Sequence, residues 1–280
     1  MTQSNNPLRR FFRQPSIYLR LPSQGKYYPP GTLDMPPNGE LPILPMTALD
    51  EILARTPDAL FNGSATAEVI RSCVPNIHDP WSVPSVDLNA LLVASRVASY
   101  GHEMTVPTMC PECKEEQEVE VDLRVVLDSL RAADYDQPLM QGDMAIYFAP
   151  LTYKQMNENS RLKFDDEKLL QSLADGMGSE EQKLAQLGET YRRVTEMTMR
   201  VVADSIAAVK TQEAIVTEKD FIIEFLKNCE KHVFEAIKDY AVKLRQGSEL
   251  KPLTLSCTQC QHQYMQEFTL DMSNFFVAAS

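Results

Sequence analysis

Between Asp87 and Tyr100 the residues Leu88, Leu91, Leu92, Ser95 and Ala98 recur three and four positions apart. That spacing gives a helix one apolar face, and Gly101 supplies a residue able to end it in the left-handed conformation. The same period predicts short helices over Ala65–Cys73, stopped by Pro75, and over Leu123–Ala132. Thr47 followed three positions later by Asp50, ahead of Ile52 and Leu53, is a helix-start pattern; Asn62-Gly63 ends that segment. Period-two patterning takes over at Ser16–Leu21, Glu40–Leu44 and Asp143–Ala149, which read as strands. Prolines crowd residues 1–46 and exclude regular helix there, while Gln24-Gly25 and Pro30-Gly31 mark turns.

From Leu151 the pattern changes. Residues 152–246 read as nearly continuous helix, broken near Gly176, Gly178 and Thr217. Leu184, Leu187, Tyr191, Val194, Thr198, Val201, Ser205 and Ala208 form a seam of coiled-coil spacing within Glu181–Val209. Phe221, Phe225, Cys229, Val233, Ala236, Tyr240 and Leu244 trace a second stripe in Glu218–Arg245, with Thr217 and Asp220 to start it and Gly247 to end it. An antiparallel helical hairpin is the economical arrangement. Ile206, Ile215 and Ile222 fall outside the seam, so a partner surface stands as the alternative to self-packing. Cys73 and Cys229 fall on helices as small buried apolar residues.

The four remaining cysteines form two pairs, Cys110-Pro111-Glu112-Cys113 and Cys257-Thr258-Gln259-Cys260. Each pair sits in a short polar turn between strand-like segments, and each is followed by a stretch reaching Asp122 or Asp271. A two-residue spacer lets both sulfurs of a turn reach one ion at about 2.3 Å, and two such turns complete a tetrahedron. Neither half has enough ligands alone, so Cys110, Cys113, Cys257 and Cys260 are expected to share one structural zinc. A redox dithiol and a pair of disulfides are the alternatives. His262, two positions after Cys260, is a substitute ligand. His102 reads as a satisfied surface residue, and His78 and His232 are scattered.

Composition narrows the function. The 280 residues are 44% hydrophobic and 24% charged, enough for a real core. Met1–Asn6 is polar and carries no secretory signal, and no apolar run approaches a membrane span. The expectation is a soluble chain folded in a cytoplasm, where thiols stay reduced. Net charge is −12, but residues 1–30 contribute +5 through Arg9, Arg10, Arg13, Arg20 and Lys26, leaving −17 for the remainder. An acidic body opposes general phosphate binding. The basic arm also carries Phe11, Phe12, Tyr18, Tyr27 and Tyr28 and is suited to lying on another protein; a solvated tail is the other reading. Asp165-Asp166-Glu167 is read as a solvated acid cluster, and Arg96 as a packing residue. No phosphate loop, dinucleotide fingerprint, zinc-protease helix or nucleophile elbow is present in the sequence.

Several blocks in order carry a resemblance: Leu21-Pro22-Ser23-Gln24-Gly25-Lys26-Tyr27-Tyr28, Leu44–Leu53, Leu60-Phe61-Asn62-Gly63, Val69–Val74, Asp87–Leu92 and Ser95–Gly101, completed by the first cysteine pair. Over about residues 20–125 the chain resembles the baseplate hub protein family of T-even-like contractile-tailed bacteriophages. The resemblance implies a virion-related role at the tail tip or in assembling its hub, and it brings no catalytic residues.

The expected fold is α+β and mostly helical, with short strands, a split zinc ribbon formed by two knuckles, and a long helical hairpin insertion. The expected domains are an extended basic arm over 1–30, an N-terminal α+β domain with the first knuckle over 31–150, the hairpin over 151–247, and a second knuckle over 248–280 packing back on the N-terminal domain. The function expected is a non-enzymatic structural or assembly component of a contractile-tail baseplate in its hub region. Its partners would be other tail and baseplate proteins, in several copies, with no nucleic acid and no membrane. A zinc-ribbon nucleic-acid-binding protein is the alternative.

Overall fold

The computed structural model describes residues 6–54, 56, 63–175 and 180–268. The helix-ending pair at Asn62, the breaks at Gly176 and Gly178, and the end of the stretch after the second knuckle, from Thr269 to Asp271, lie outside them, as do the side chains of Asp166, Glu167, Leu184 and Leu187. The chain divides into two compact units, one of Met1–Pro80, Asp87–Leu130 and Leu250–Ser280, the other of Trp81–Val86 and Arg131–Glu249.

The first unit begins with a 3-10 turn, Pro7–Phe11, with Asn6 as its cap. Strand β1 (Ile17–Leu19) pairs antiparallel with β2 (Leu41–Ile43), both where alternation predicts them. So residues from Ile17 onward, within the expected arm 1–30, belong to the body: Leu19 and Leu21 are buried beside Leu41 and Ile43 in the core. Gln24 and Gly25 take the left-handed turn conformation, and a Cβ on Gly25 would meet Met35 at 2.8 Å. Helices α1 (Ala48–Ala54), α2 (Ser64–Cys73) and α3 (Ser85–Tyr100) follow. The Thr47–Asp50 start forms as expected, each side chain capping the other's backbone N–H. Arg13 reaches the same carboxylate at 3.3 Å and also donates to Pro45 O and Ser72 O.

The apolar face predicted on α3 proves too narrow. Ala90 through Arg96 are all buried, so this helix is enclosed on nearly every side over its central turns. Its hydroxyls are satisfied internally, Ser95 donating to Leu91 O and Ser99 to Ser95 O. Gly101 ends the helix at φ +88°, as expected. Two hairpins complete the unit: β3 (Glu103–Met109) with β4 (Glu116–Asp122), and β9 (Leu253–Ser256) with β10 (Gln263–Gln266). Helix α4 (Leu123–Ser129) follows β4, capped by Asp122.

The second unit is built on a four-stranded antiparallel sheet in the order β5 (Leu139–Gln141), β6 (Met144–Phe148), β7 (Ile206–Lys210), β8 (Ile215–Val216). Here the sequence reading is corrected. The helix expected to run through Val209 ends at Ser205, and Ile206–Lys210 turns into a strand. The reason is tertiary. β6 offers an unpaired edge, and Ile206 and Val209 bury their side chains while pairing with it. This pairing also groups residues 131–150 with the later helices, whereas the sequence reading ended the N-terminal domain at 150.

Helix α5 (Tyr153–Asp175) packs against α6 (Glu180–Ser205), and α6 against both α7 (Lys219–Asn228) and α8 (Lys231–Gln246). The second stripe is therefore two helices, parted by the extended residues Cys229 and Glu230. Cys229 sits at that joint, half-buried, rather than inside a helix. The core of α7 and α8 is Ile222, Leu226, Ile237 and Leu244, while Phe221 is exposed. Glu218, without a side-chain cap bond, stands where Thr217 and Asp220 were expected to start α7. Lys219 instead secures the end of α6, donating to the carbonyls of Ala203, Asp204 and Ile206 at 2.9, 3.2 and 2.5 Å. Burial lowers its ammonium pKa.

Candidate metal centre

Each cysteine pair sits in a turn built by the same backbone bonds. Cys110 N donates to Glu115 O and Lys114 N to Cys110 O; Cys257 N donates to His262 O and Gln261 N to Cys257 O. The residue after each second cysteine is left-handed without being glycine, Lys114 at φ +61° and Gln261 at φ +58°. In both turns the first cysteine, Cys110 or Cys257, is buried and the second, Cys113 or Cys260, is exposed. The two halves are thus local copies of one design.

The copies meet face to face. The four sulfurs of Cys110, Cys113, Cys257 and Cys260 lie within 4.8 Å of one another. Across the two knuckles Cys110 Sγ is 3.7 Å from Cys260 Sγ, and Cys113 Sγ is 3.6 Å from Cys257 Sγ. Those distances are far above the roughly 2.05 Å of a disulfide. They match the edge of about 3.8 Å that a regular tetrahedron has when its centre is about 2.3 Å from each sulfur. The donor set therefore fits a thiophilic cation of tetrahedral preference. Backbone N–H groups of Cys260 and Gln259 pull the Cys257 thiol down to about 7, whereas the Cys260 thiol is raised. His262 contributes its carbonyl to the turn and its ring stacks on Tyr264 with centroids 6.5 Å apart, so the four-sulfur cluster forms without it.

A polar seam that the sequence reading missed holds the hairpins together. Thr108 and Gln117 are directly opposed in the β3–β4 register, on the half-buried face of that ribbon. Gln117 Nε2 donates to the Tyr264 hydroxyl at 2.8 Å, and its Oε1 accepts from Thr258 N at 3.0 Å. Thr108 Oγ1 donates to Gln266 Oε1 at 2.8 Å. Cys110, Cys257 and Tyr264 form a small buried cluster flanked by Leu255. The available signal was alternation: Thr108 and Gln117 share the phase of Val106 and Val119, not that of the glutamates.

The opposite face of the ribbon is acidic. Glu116, Glu118 and Glu120 are exposed, in register with Met109, Pro107 and Thr105.

The family model for the T4 bacteriophage base plate protein matches residues 32–277, from the turn before β2 to beyond the second knuckle. The chain belongs to that family. No curated protein and no solved structure matches it. Membership makes it a phage baseplate protein. It implies a place in the virion tail, other baseplate proteins as partners and a structural rather than enzymatic role. Among the described residues of this baseplate protein, no helix is long and apolar enough to cross a membrane.

Proposed function

We infer that this protein is a structural or assembly component of the hub region of a contractile-tail baseplate, acting through protein–protein contacts on a zinc-stabilised scaffold. The observation that carries the reading is the convergence of four sulfurs from hairpins 144 residues apart at Cys113 and Cys257. One zinc held by Cys110, Cys113, Cys257 and Cys260 ties β3–β4 to β9–β10. The intervening chain, including the helices of 151–247, then leaves and returns to a fixed base. A closed four-thiolate site leaves no open coordination position for catalysis, so the ion's role is structural. A basic arm ahead of β1 and the helical excursion supply surfaces for neighbouring tail proteins. Assembly takes place in the host cytoplasm, with several copies per particle.

The nucleic-acid-binding reading of a zinc ribbon is opposed by charge. Glu112, Glu115, Glu116, Glu118 and Glu120 surround the first knuckle and are exposed, which is the wrong sign for releasing counterions from a phosphate backbone.

Mass spectrometry of purified particles tests the hub reading. The protein is expected in baseplate or hub intermediates, and elemental analysis of the purified chain is expected to give one zinc. Absence of the protein from every tail intermediate, or a low-salt gel shift of DNA, would overturn the reading.

A further inference from the structure

We propose that the N-terminal turn Pro7–Phe12 of one chain docks into the acidic groove on the β3–β4 ribbon of a second copy; the proposal deepens the assembly reading above and rests on it.

The donor is a preformed plug rather than a loose tail. Asn6 caps the 3-10 turn by accepting from Leu8 N, Pro7 fixes its entry, and Phe12 N donates to Arg9 O. The chain is then fastened directly after the turn, where Arg13 donates to Pro45 O, Ser72 O and Ser72 Oγ. None of the turn's residues is buried. Leu8, Phe11 and Phe12 are 59, 70 and 54% exposed. Arg10 lies over its own Phe11 ring at 4.7 Å, and Arg9 has no ion-pair partner among the described residues. An exposed apolar cluster with two guanidiniums, held in shape by its own anchors, loses little entropy on docking.

The acceptor has the matching chemistry. A surface groove of about 560 Å3 is lined by Pro107, Thr108, Met109, Glu116, Gln117 and Glu118. That is within the roughly 300–1,000 Å3 range of sites that hold compact groups. Pro107 and Met109 provide apolar contact, and Met109 is 52% exposed. Their cross-strand neighbours Glu118 and Glu116 stand on the same face, with Glu120 continuing the row. None of these three glutamates has an ion-pair partner among the described residues, in contrast to Asp122, which is held by Arg124 at 2.7 Å. Apolar residues beside unneutralised carboxylates complement aromatic rings beside unneutralised guanidiniums. The turn adds +2 through Arg9 and Arg10 to a chain whose net charge is −12, which favours contact between the turn and the acidic ribbon of another copy. Such a contact joins two different surfaces, so it closes as a reciprocal dimer or as a ring.

Sedimentation of the full zinc-loaded chain at about 50 mM salt tests this. The wild type is expected to associate. The R9E/R10E variant and the E116K/E118K variant are each expected to associate at least tenfold more weakly, and an equimolar mixture of the two should recover a mixed complex. F11A/F12A, which changes no charge, should also dissociate the assembly. The arm variants leave the folded body untouched, so they remain informative if the glutamate variant loses its zinc. A monomeric wild type, an assembly indifferent to the arm variants, or no recovery on mixing would overturn the proposal. A folded monomer that still needs its arm to enter particles would place the acceptor on a different tail protein. That result sinks this inference and leaves the baseplate reading standing.

Discussion

Gln117 and Tyr264 each lie four positions after the last cysteine of their knuckle, and they meet: the Gln117 amide donates to the Tyr264 hydroxyl at 2.8 Å. Equivalent positions of two copied hairpins thus touch across the line that relates them. Gln117 also accepts from the backbone N–H and hydroxyl of Thr258, so one side chain serves both the strand and the turn of the other half. Gln117→Ala is expected to cost about 0.5–1.5 kcal/mol by removing its hydrogen bonds to Tyr264 and Thr258, and Tyr264→Phe about 1 kcal/mol. A double-mutant cycle by denaturant unfolding should show a coupling of at least about 0.5 kcal/mol. Strict additivity would mean the two side chains act independently.

If one ion joins the hairpins, losing a ligand should release the metal and loosen both. Cys113→Ser and Cys260→Ser are expected to drop zinc from one per chain to near zero and to lower the melting temperature together. Cys229→Ser should leave zinc content unchanged, because Cys229 lies at the α7–α8 joint, outside the sulfur cluster. A strong chelator should expose four additional titratable thiols in the wild type. Unchanged zinc content in both knuckle variants would refute the ligand assignment.

Lys114 and Gln261 hold left-handed conformations that cost a side-chain-bearing residue about 1–2 kcal/mol. Glycine relieves that strain but gains freedom in the unfolded chain, worth about 0.4–1 kcal/mol. Lys114→Gly and Gln261→Gly should therefore be neutral or stabilising by up to about 1 kcal/mol, whereas Lys114→Val should destabilise by about 1–3 kcal/mol. Unfolding in urea with zinc present checks the sign. Equal effects of glycine and valine would remove backbone strain as the explanation.

What was legible in the sequence was local. The cysteine spacings, the Thr47–Asp50 start, Gly101 and the alternation of β1, β2 and β6 each depend on residues a few positions apart, and each is formed. What was hidden depended on distant partners. Ala208 fits the helical seam as well as a strand, and only the free edge of β6, which pairs with Ile206 through Lys210, decides between them. The stripe through Phe221 and Cys229 is continuous in sequence, but two extended residues redirect it, so that Ile222 and Leu226 enter the core instead. Gln117 is one polar residue in an acidic ribbon until Tyr264 is brought to it. Arg13 counted only as one charge of a basic arm, although it crosses to Asp50 and Ser72.

That Arg13 clip is itself testable. Its guanidinium joins a network in which Asp50 also accepts from Thr47 N, Thr47 Oγ1 and Ser72 Oγ, and Asp50 is buried. Arg13→Ala is expected to cost about 1–3 kcal/mol by removing charge-assisted bonds to the body. It should also free the segment ahead of β1, so that trypsin cuts after Arg9 and Arg10 faster than in the wild type. Unchanged cleavage would show that β1 pairing alone restrains the arm.

Asp87 supplies the pH dependence. It is fully buried on the first turn of α3, where Ser23 donates to it through both its backbone N–H at 2.8 Å and its hydroxyl at 2.5 Å. The Tyr28 hydroxyl is buried nearby without a hydrogen bond of good geometry. Desolvation raises the Asp87 carboxyl to about 6, with the bonds from Ser23 opposing. A folded pKa above the unfolded value means the folded state holds its proton more tightly. The contribution is therefore fully present below about pH 4 and is lost as pH rises through 6, on the order of 3 kcal/mol in all. Asp87→Asn mimics the protonated acid: its carbonyl can accept from Ser23 N while its amide faces the Ser23 hydroxyl. The variant should match the wild type near pH 4 and exceed it in stability at pH 7. Taking the difference between the two proteins at each pH cancels the acid sensitivity of the thiolate site, which both share. A difference that stays flat from pH 4 to 7 would show that Asp87 is ionised in the fold throughout that range.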